Sequence, residues 1–308
     1  MAAISTKGLT RTYGARRGVE DINLFIPEGS LYGFLGPNGA GKTTTIRVLL
    51  GFLRPTAGRA SVLGLDCWTQ SARIKRDVGY VPGDLRLWPW MTGRSALSLF
   101  GSVRRMDLLT GPGAGNELAD FFELSLNTRV RAMSRGMRQK LGLILAMAHR
   151  PKLLVLDEPT SGLDPLMQDR FRDLLRSLSR KQGTTIFFSS HTLSEVEALC
   201  DRVAIVRAGK IVADSTLRDL QRQAGRHVII RWNTPQVPAE SPACLTLDPE
   251  STPLLWQGRL IGSVDPLISW LNGRRIDDIT IQHPDLETLF RQFYQSDSAP
   301  TGQAEIAK

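Results

Sequence analysis

Lys42 and Thr43 end a run, Gly36-Pro37-Asn38-Gly39-Ala40-Gly41-Lys42-Thr43, whose types and spacing suit a polyphosphate. The glycines let successive backbone N–H groups turn inward around phosphate oxygens, and the helix that follows the loop adds its positive N-terminal end. The ammonium of Lys42 suits the β/γ-phosphates and the Thr43 hydroxyl suits Mg²⁺. Gly36, Asn38, Gly39, Gly41, Lys42, Thr43 and Thr44 are the candidate phosphate-binding set. A second cluster lies far along the chain. Leu153-Leu154-Val155-Leu156-Asp157-Glu158 is an apolar run ending in two carboxylates. Asp157 is positioned to meet Thr43 across Mg²⁺, and Glu158 to orient or deprotonate an attacking water.

These groups need a scaffold, and the flanking pattern supplies one. Residues 30–35 read as a buried strand before the loop, and residues 44–51 as a helix after it. Residues 3–35 are β-rich, and a strand pair is expected around 59–63 and 78–81. Residues 92–150 change to helical periodicity, with Ser134 as the N-cap of a helix running to Arg150. Beyond Pro151, strands at 153–156, 184–189 and 202–206 alternate with helices at 165–181 and 193–199. Alternation of this kind predicts an α/β fold with a mostly parallel sheet covered on both faces. In such sheets ligands bind beyond the carboxyl ends of the strands.

After about residue 218 the pattern changes again. Strands at 227–232, 254–261 and 275–282 with helices at 266–271 and 284–294 predict a small α+β appendage over 219–295. Residues 296–308 read as a disordered tail. His227 and His283 are isolated and suggest no ligand cluster.

Composition narrows the classes. The chain has 308 residues, 42% hydrophobic and 22% charged, with a formal net charge of +9. Its cations are dispersed, without a basic block interleaved with aromatics, so no nucleic-acid partner is expected. Cys67, Cys200 and Cys244 are far apart and odd in number, which argues for a reducing compartment and against a disulfide frame or zinc site. The N-terminus has no signal-peptide pattern, and no run approaches the ~20 apolar residues of a spanning helix.

Several further motifs now carry a family resemblance. Asp157-Glu158-Pro159-Thr160-Ser161-Gly162-Leu163-Asp164-Pro165 resembles the Walker B and D-loop run of ABC transporter ATP-binding subunits. Ser134-Arg135-Gly136-Met137-Arg138-Gln139 resembles their signature motif, with Arg135 where the family prefers glycine. Ser189-Ser190-His191 resembles their switch-histidine segment, and Tyr13 sits where the family places an adenine-stacking aromatic. The resemblance spans about residues 4–215. It implies a P-loop NTPase fold of ABC type, with a nucleotide-binding domain over 1–218 and a helical subdomain at about 92–150. It implies ATP and Mg²⁺ as cofactors and the hydrolysis of ATP. Lys42, Glu158 and His191 become the catalytic candidates, and Thr43 and Asp157 the metal ligands. Ser134 and Gly136 would face the nucleotide of another subunit in a homodimer or heterodimer, with Asp164 at the seam. Integral membrane transporter subunits are the implied partners, placing the chain peripherally at the cytoplasmic face of the membrane. The motif string looks most like drug exporters. An importer subunit, or a non-transport relative acting on nucleic acid or ribosomes, is the alternative.

One departure falls at the strand expected over 78–81. The family usually follows it with a glutamine that touches Mg²⁺ and the lytic water, and this chain has Gly83. Asp84 or a water is expected to substitute. Nearby Trp88 and Trp90 either line the groove that accepts a helix of the membrane partner or pack into the adjacent helical region.

Overall fold

The computed structural model describes residues 1–14, 16–111, 114–233, 240–282 and 290. It divides into two compact units, Met1–Asp214 and Ser215–Lys308.

The first unit begins with two long strands, β1 (Ala2–Tyr13) and β2 (Arg16–Pro27), paired antiparallel. Next come β3 (Leu31–Leu35), α1 (Lys42–Leu49), β4 (Ala57–Val62), β5 (Leu65–Asp66), α2 (Ser71–Asp77) and β6 (Val78–Val81). The helices α3 (Gly93–Arg104), α4 (Gly115–Phe121) and α5 (Arg135–Met147) fill the helical stretch. Then follow β7 (Leu153–Asp157), α6 (Pro165–Gln182), β8 (Thr185–Ser190), α7 (Leu193–Leu199), β9 (Arg202–Arg207) and β10 (Lys210–Thr216).

These strands form two sheets, ordered β2-β1-β4-β5 and β10-β9-β3-β8-β7-β6. In the second sheet β3 runs parallel to β8 and β9, and β7 parallel to β6 and β8. Every residue of β3, β7 and β8 is buried, which is why these segments read as unbroken apolar runs. Ile4, Leu9, Val19 and Ile22 of the antiparallel sheet share one core with Tyr32, Phe34, Ile46, Val155 and Phe187. The Phe34 and Phe187 rings pack with centroids 5.1 Å apart.

The expected pairing of 59–63 with 78–81 does not occur. β4 joins β1 in the antiparallel sheet, whereas β6 lies beside β7. The burial pattern explains the difference. β4 buries Ala60 and Val62 with a partly exposed residue between them, as a strand with one covered face does. Val78, Gly79 and Val81 are buried almost throughout, so β6 needs cover on both sides. The short helix α2 between them was not anticipated.

The second unit holds α8 (Leu217–Ala224) and a sheet ordered β12 (Leu245–Leu247), β13 (Leu255–Leu260), β11 (Arg226–Trp232), β14 (Ile276–Ile281), with α9 (Asp265–Leu271). Trp232, Trp256 and Trp270 meet in its core, the first two rings edge to face at 5.1 Å. The strand β12 has no counterpart in the sequence reading. The helix expected over 284–294 lies outside the described residues apart from position 290, as do His283 and the tail at 296–308. Among the described residues no helix is long and apolar enough to cross a membrane.

Candidate functional site

The carboxyl ends of β3, β7 and β8 lie side by side, because β8 sits between the other two strands. From β3 the chain enters the glycine-rich loop, which leads into α1. Gly41 is the residue before that helix and has φ 106°, a conformation that favours glycine. A Cβ there would lie 2.7 Å from Val19 Cγ1 and 3.0 Å from the Gly18 carbonyl oxygen. The loop therefore closes tightly onto β2, and Thr45 is free to donate its hydroxyl back to the Gly41 carbonyl at 3.0 Å.

The first two side chains of α1 meet the carboxylates at and just beyond the end of β7. Thr43 Oγ1 donates to Asp157 Oδ2 at 2.7 Å, and Ser189 Oγ at the end of β8 donates to Asp157 Oδ1 at 2.9 Å. Asp157 is thereby buried yet satisfied on both oxygens. Lys42 is also buried; its Nζ donates to the carbonyls of Gly36 at 2.7 Å and Pro37 at 3.2 Å. The same ammonium lies 3.4 Å from Glu158 Oε1, and His191 Nδ1 is 3.2 Å from that oxygen. Glu158 has φ 51°, uncommon for a non-glycine residue. Its N–H donates to the Ser189 carbonyl at 3.0 Å, so the chain turns sharply where β7 ends. Backbone outliers of this sort cost on the order of 1–3 kcal/mol and cluster at functional sites.

A cleft of about 450 Å³ opens over the loop, lined by Tyr13, Asn38, Gly39, Gly41, Lys42, Thr43, Thr44 and Glu158 among others. Tyr13 is 42% exposed at its rim, with the Arg11 guanidinium 5.0 Å from the ring centroid. An adjoining cleft of about 680 Å³ shares Thr43 and Glu158 and adds Asp157, Tyr80, Gly83, Asp84 and Arg86. Burial, reinforced by the Asp157 charge, pushes the Tyr80 hydroxyl up to about 12, so it stays a neutral phenol.

Asp84 lines this second cleft, but its carboxylate turns to Arg86 at 2.9 Å and is largely exposed. Among the described residues no hydrogen bond joins it to Thr43 or Asp157. A Cβ at Gly83 would sit in ordinary contact with Asp157, 3.5 Å from its carbonyl oxygen and 3.7 Å from Oδ2. The position therefore has room for a side chain aimed at the carboxylate. Trp88 and Trp90 are both exposed, with ring centroids 6.5 Å apart.

Ser134, Gly136 and Asp164 line neither cleft. Ser134 caps α5, its Oγ accepting the Met137 N–H at 3.1 Å. Asp164 caps α6, accepting the Met167 N–H at 2.9 Å, with Pro165 in the first turn. The start of α5 is tied to the loop after β7 three times over. Gly136 packs so closely that a Cβ would lie 2.4 Å from the Gly162 carbonyl oxygen. Arg135 Nη2 donates to Ser161 Oγ at 2.8 Å, and the buried Gln139 Nε2 donates to the Pro159 carbonyl at 2.9 Å.

Glu195 is the functional neighbour that sequence reading missed. Its Oε1 accepts Thr160 Oγ1 at 2.6 Å and its Oε2 accepts Ser190 Oγ at 2.5 Å. It thus joins the loop after Glu158 to the residue before His191. The available signal was weak: two hydroxyls at the edge of buried strands, and an acid in the first turn of α7.

The chain matches the family model of ABC transporters over residues 19–161. It is 37% identical over 227 residues to the bacitracin transport ATP-binding protein BcrA of Bacillus licheniformis, covering 73% of each chain. It is 34% identical over 249 residues to the daunorubicin/doxorubicin resistance ATP-binding protein DrrA of Streptomyces peucetius, covering 80% of this chain and 75% of that one. Among solved structures, an ATP-binding subunit of an ABC transporter superposes with a TM-score of 0.65 at 29% identity, over 72% of this chain and 92% of the other. A dimeric bacterial ABC transporter cassette shares the fold with a TM-score of 0.63 at 23% identity, over 70% and 99%.

Proposed function

Given that the chain belongs to the ATP-binding proteins of ABC transporters, we propose that it powers export of an antibiotic-like compound through separate membrane subunits. The relatives named for bacitracin transport and for daunorubicin/doxorubicin resistance support that substrate class. Hydrolysis of ATP is its reaction. The single observation that carries the site assignment is the contact of Thr43 with Asp157, beside a Glu158 that meets both Lys42 and His191.

In this reading the backbone from Gly36 to Thr44 cradles the phosphates and Tyr13 stacks on adenine. Lys42 holds the β/γ-phosphates, exchanging its carbonyl partners for phosphate oxygens. The hydroxyl of Thr43 and the carboxylate of Asp157 are hard oxygen donors, already side by side, and suit Mg²⁺. The ion, when bound, neutralises charge on the phosphates. Ser189 holds the Asp157 carboxylate in place. Glu158 orients the attacking water and takes its proton, while His191 donates a hydrogen bond toward the γ-phosphate. Phosphoryl transfer asks for little beyond this positioning and charge stabilisation.

Ser134 and Gly136 stand away from these clefts, which supports their use by a second subunit's nucleotide. Two chains then clamp two nucleotides, with Asp164 at the seam. The exposed pair Trp88 and Trp90 receives a helix of the membrane partner. The chain works peripherally at the cytoplasmic face of the membrane.

Glu158→Gln tests the centre of this proposal. The variant should bind ATP, accumulate as a nucleotide-bound dimer in size-exclusion chromatography and turn over very slowly. Hydrolysis at the unaltered rate would remove Glu158 from the role of base. Co-purification with the membrane subunits, followed by a screen for compounds that stimulate ATP hydrolysis, tests the substrate class.

A further inference from the structure

The second unit contains a cleft of about 470 Å³ whose lining includes Arg218, Gln221, Arg222, Arg226, Leu260 and Gly262. We propose that this cleft binds the phosphate group of a phosphate ester.

Three observations carry the inference. First, the cations are gathered, not scattered. Over residues 215–282 the arginines equal the carboxylates in number and lysine does not occur, yet among the described residues three arginines and no acid line this one cleft. Second, the elements place them together. Arg218 and Arg222 are one turn apart on α8 and so share a face. Arg226 opens β11 just beyond the end of that helix. Third, their charge is poorly compensated. Arg222 has Asp219 at 3.7 Å, but that carboxylate also accepts the Thr216 hydroxyl at 2.6 Å. Arg218 and Arg226 have no ion pair among the described residues.

Like charges around one cavity repel, and an anion relieves the repulsion. The guanidinium fork matches phosphate oxygens in pairs, which an ammonium cannot do. The volume falls in the usual range for ligand pockets, about 300–1,000 Å³. It admits an ester and not only the bare ion. The two sources of such an ester are a soluble metabolite-like phosphate and the headgroup of a membrane lipid.

The test uses the full chain and two probes of the same chemistry. Glycerol phosphate is titrated with ³¹P line broadening as the readout. Phosphatidylcholine vesicles, with and without phosphatidic acid, are sedimented with the protein. Comparison with Arg218→Gln/Arg226→Gln isolates this cleft, because the nucleotide site is the same in both proteins. The double variant should hydrolyse ATP normally and bind the responding probe at least about tenfold more weakly. A response to glycerol phosphate alone assigns a soluble ester, and a response to phosphatidic acid vesicles alone assigns a lipid headgroup. Equal binding by the unaltered and double-variant proteins, or no binding of either probe, overturns the proposal. So does unaltered affinity in Arg218→Lys/Arg226→Lys, since charge without the fork would then suffice.

Discussion

Replacement of Glu195 by alanine should loosen the hydrolytic site without touching the phosphate loop. The carboxylate accepts hydroxyls from Thr160 and Ser190, on two segments that flank Glu158 and His191. A hydrogen bond to a charged group contributes about 1.5–3 kcal/mol. Glu195 is only half buried, so the lower figure applies to each bond and Glu195→Ala should cost about 3 kcal/mol in all. For a unit of this size that corresponds to a fall of roughly 6–12 °C in Tm. Glu195→Gln keeps one carbonyl acceptor and should lose about half as much. If the lost restraint acts wholly on the transition state, kcat for ATP falls by up to about 10²-fold. KM should stay put, because Lys42 and the loop carbonyls are not involved. Urea melts and steady-state ATPase kinetics on both variants provide the check. An alanine variant with unaltered melting and unaltered kcat would refute the clamp. Lower Tm with unaltered kcat would make Glu195 a purely structural tie.

Acid should weaken the fold through His149. Burial, reinforced by the neighbouring Arg104, pushes this imidazole down to about 4, and its Nε2 faces the Val78 carbonyl at 3.2 Å. The unfolded chain takes up the proton near pH 6.5, so stability is complete above that pH and drains as pH falls toward 4, with about 2 kcal/mol gone at pH 5. Urea midpoints at pH 7 and pH 5 should show this slope, and His149→Gln should lack it. If Asp84 supplies the contact that Gly83 cannot, Asp84→Ala lowers kcat by about 10²-fold; turnover at the normal rate would dismiss Asp84. Trp88→Ala/Trp90→Ala should fold and hydrolyse ATP as the isolated chain does, while losing stimulation by the membrane subunits. Insoluble protein from that variant would show that the rings serve folding instead.

What sequence reading recovered is whatever local spacing encodes. The Gly36–Thr43 run, the apolar strand before Asp157 and the cap residue Ser134 all declare themselves within a few residues. Contacts between distant segments were less accessible. Thr43 could be matched to Asp157 because both motifs have a known chemical partner, Mg²⁺. Nothing comparable marked Ser189 as the second donor to Asp157 or Glu195 as a tie between two loops. A serine or a helical glutamate gains such a role only through the order of strands, which composition does not reveal. The misplaced pairing of residues 59–63 with 78–81 has the same origin. Both stretches look like strands, and only the number of covered faces separates them.

The insertion of β8 between β3 and β7 has a consequence for synthesis. The glycine-rich loop and the acidic strand are both complete by residue 158, yet they cannot be brought into their final spacing until residues 185–190 have left the ribosome and slotted between them. Nascent chains arrested before that point should gain no protease resistance from Mg·ATP, and those arrested well after it should. Capture of nucleotide thus becomes a late checkpoint on assembly of the whole sheet.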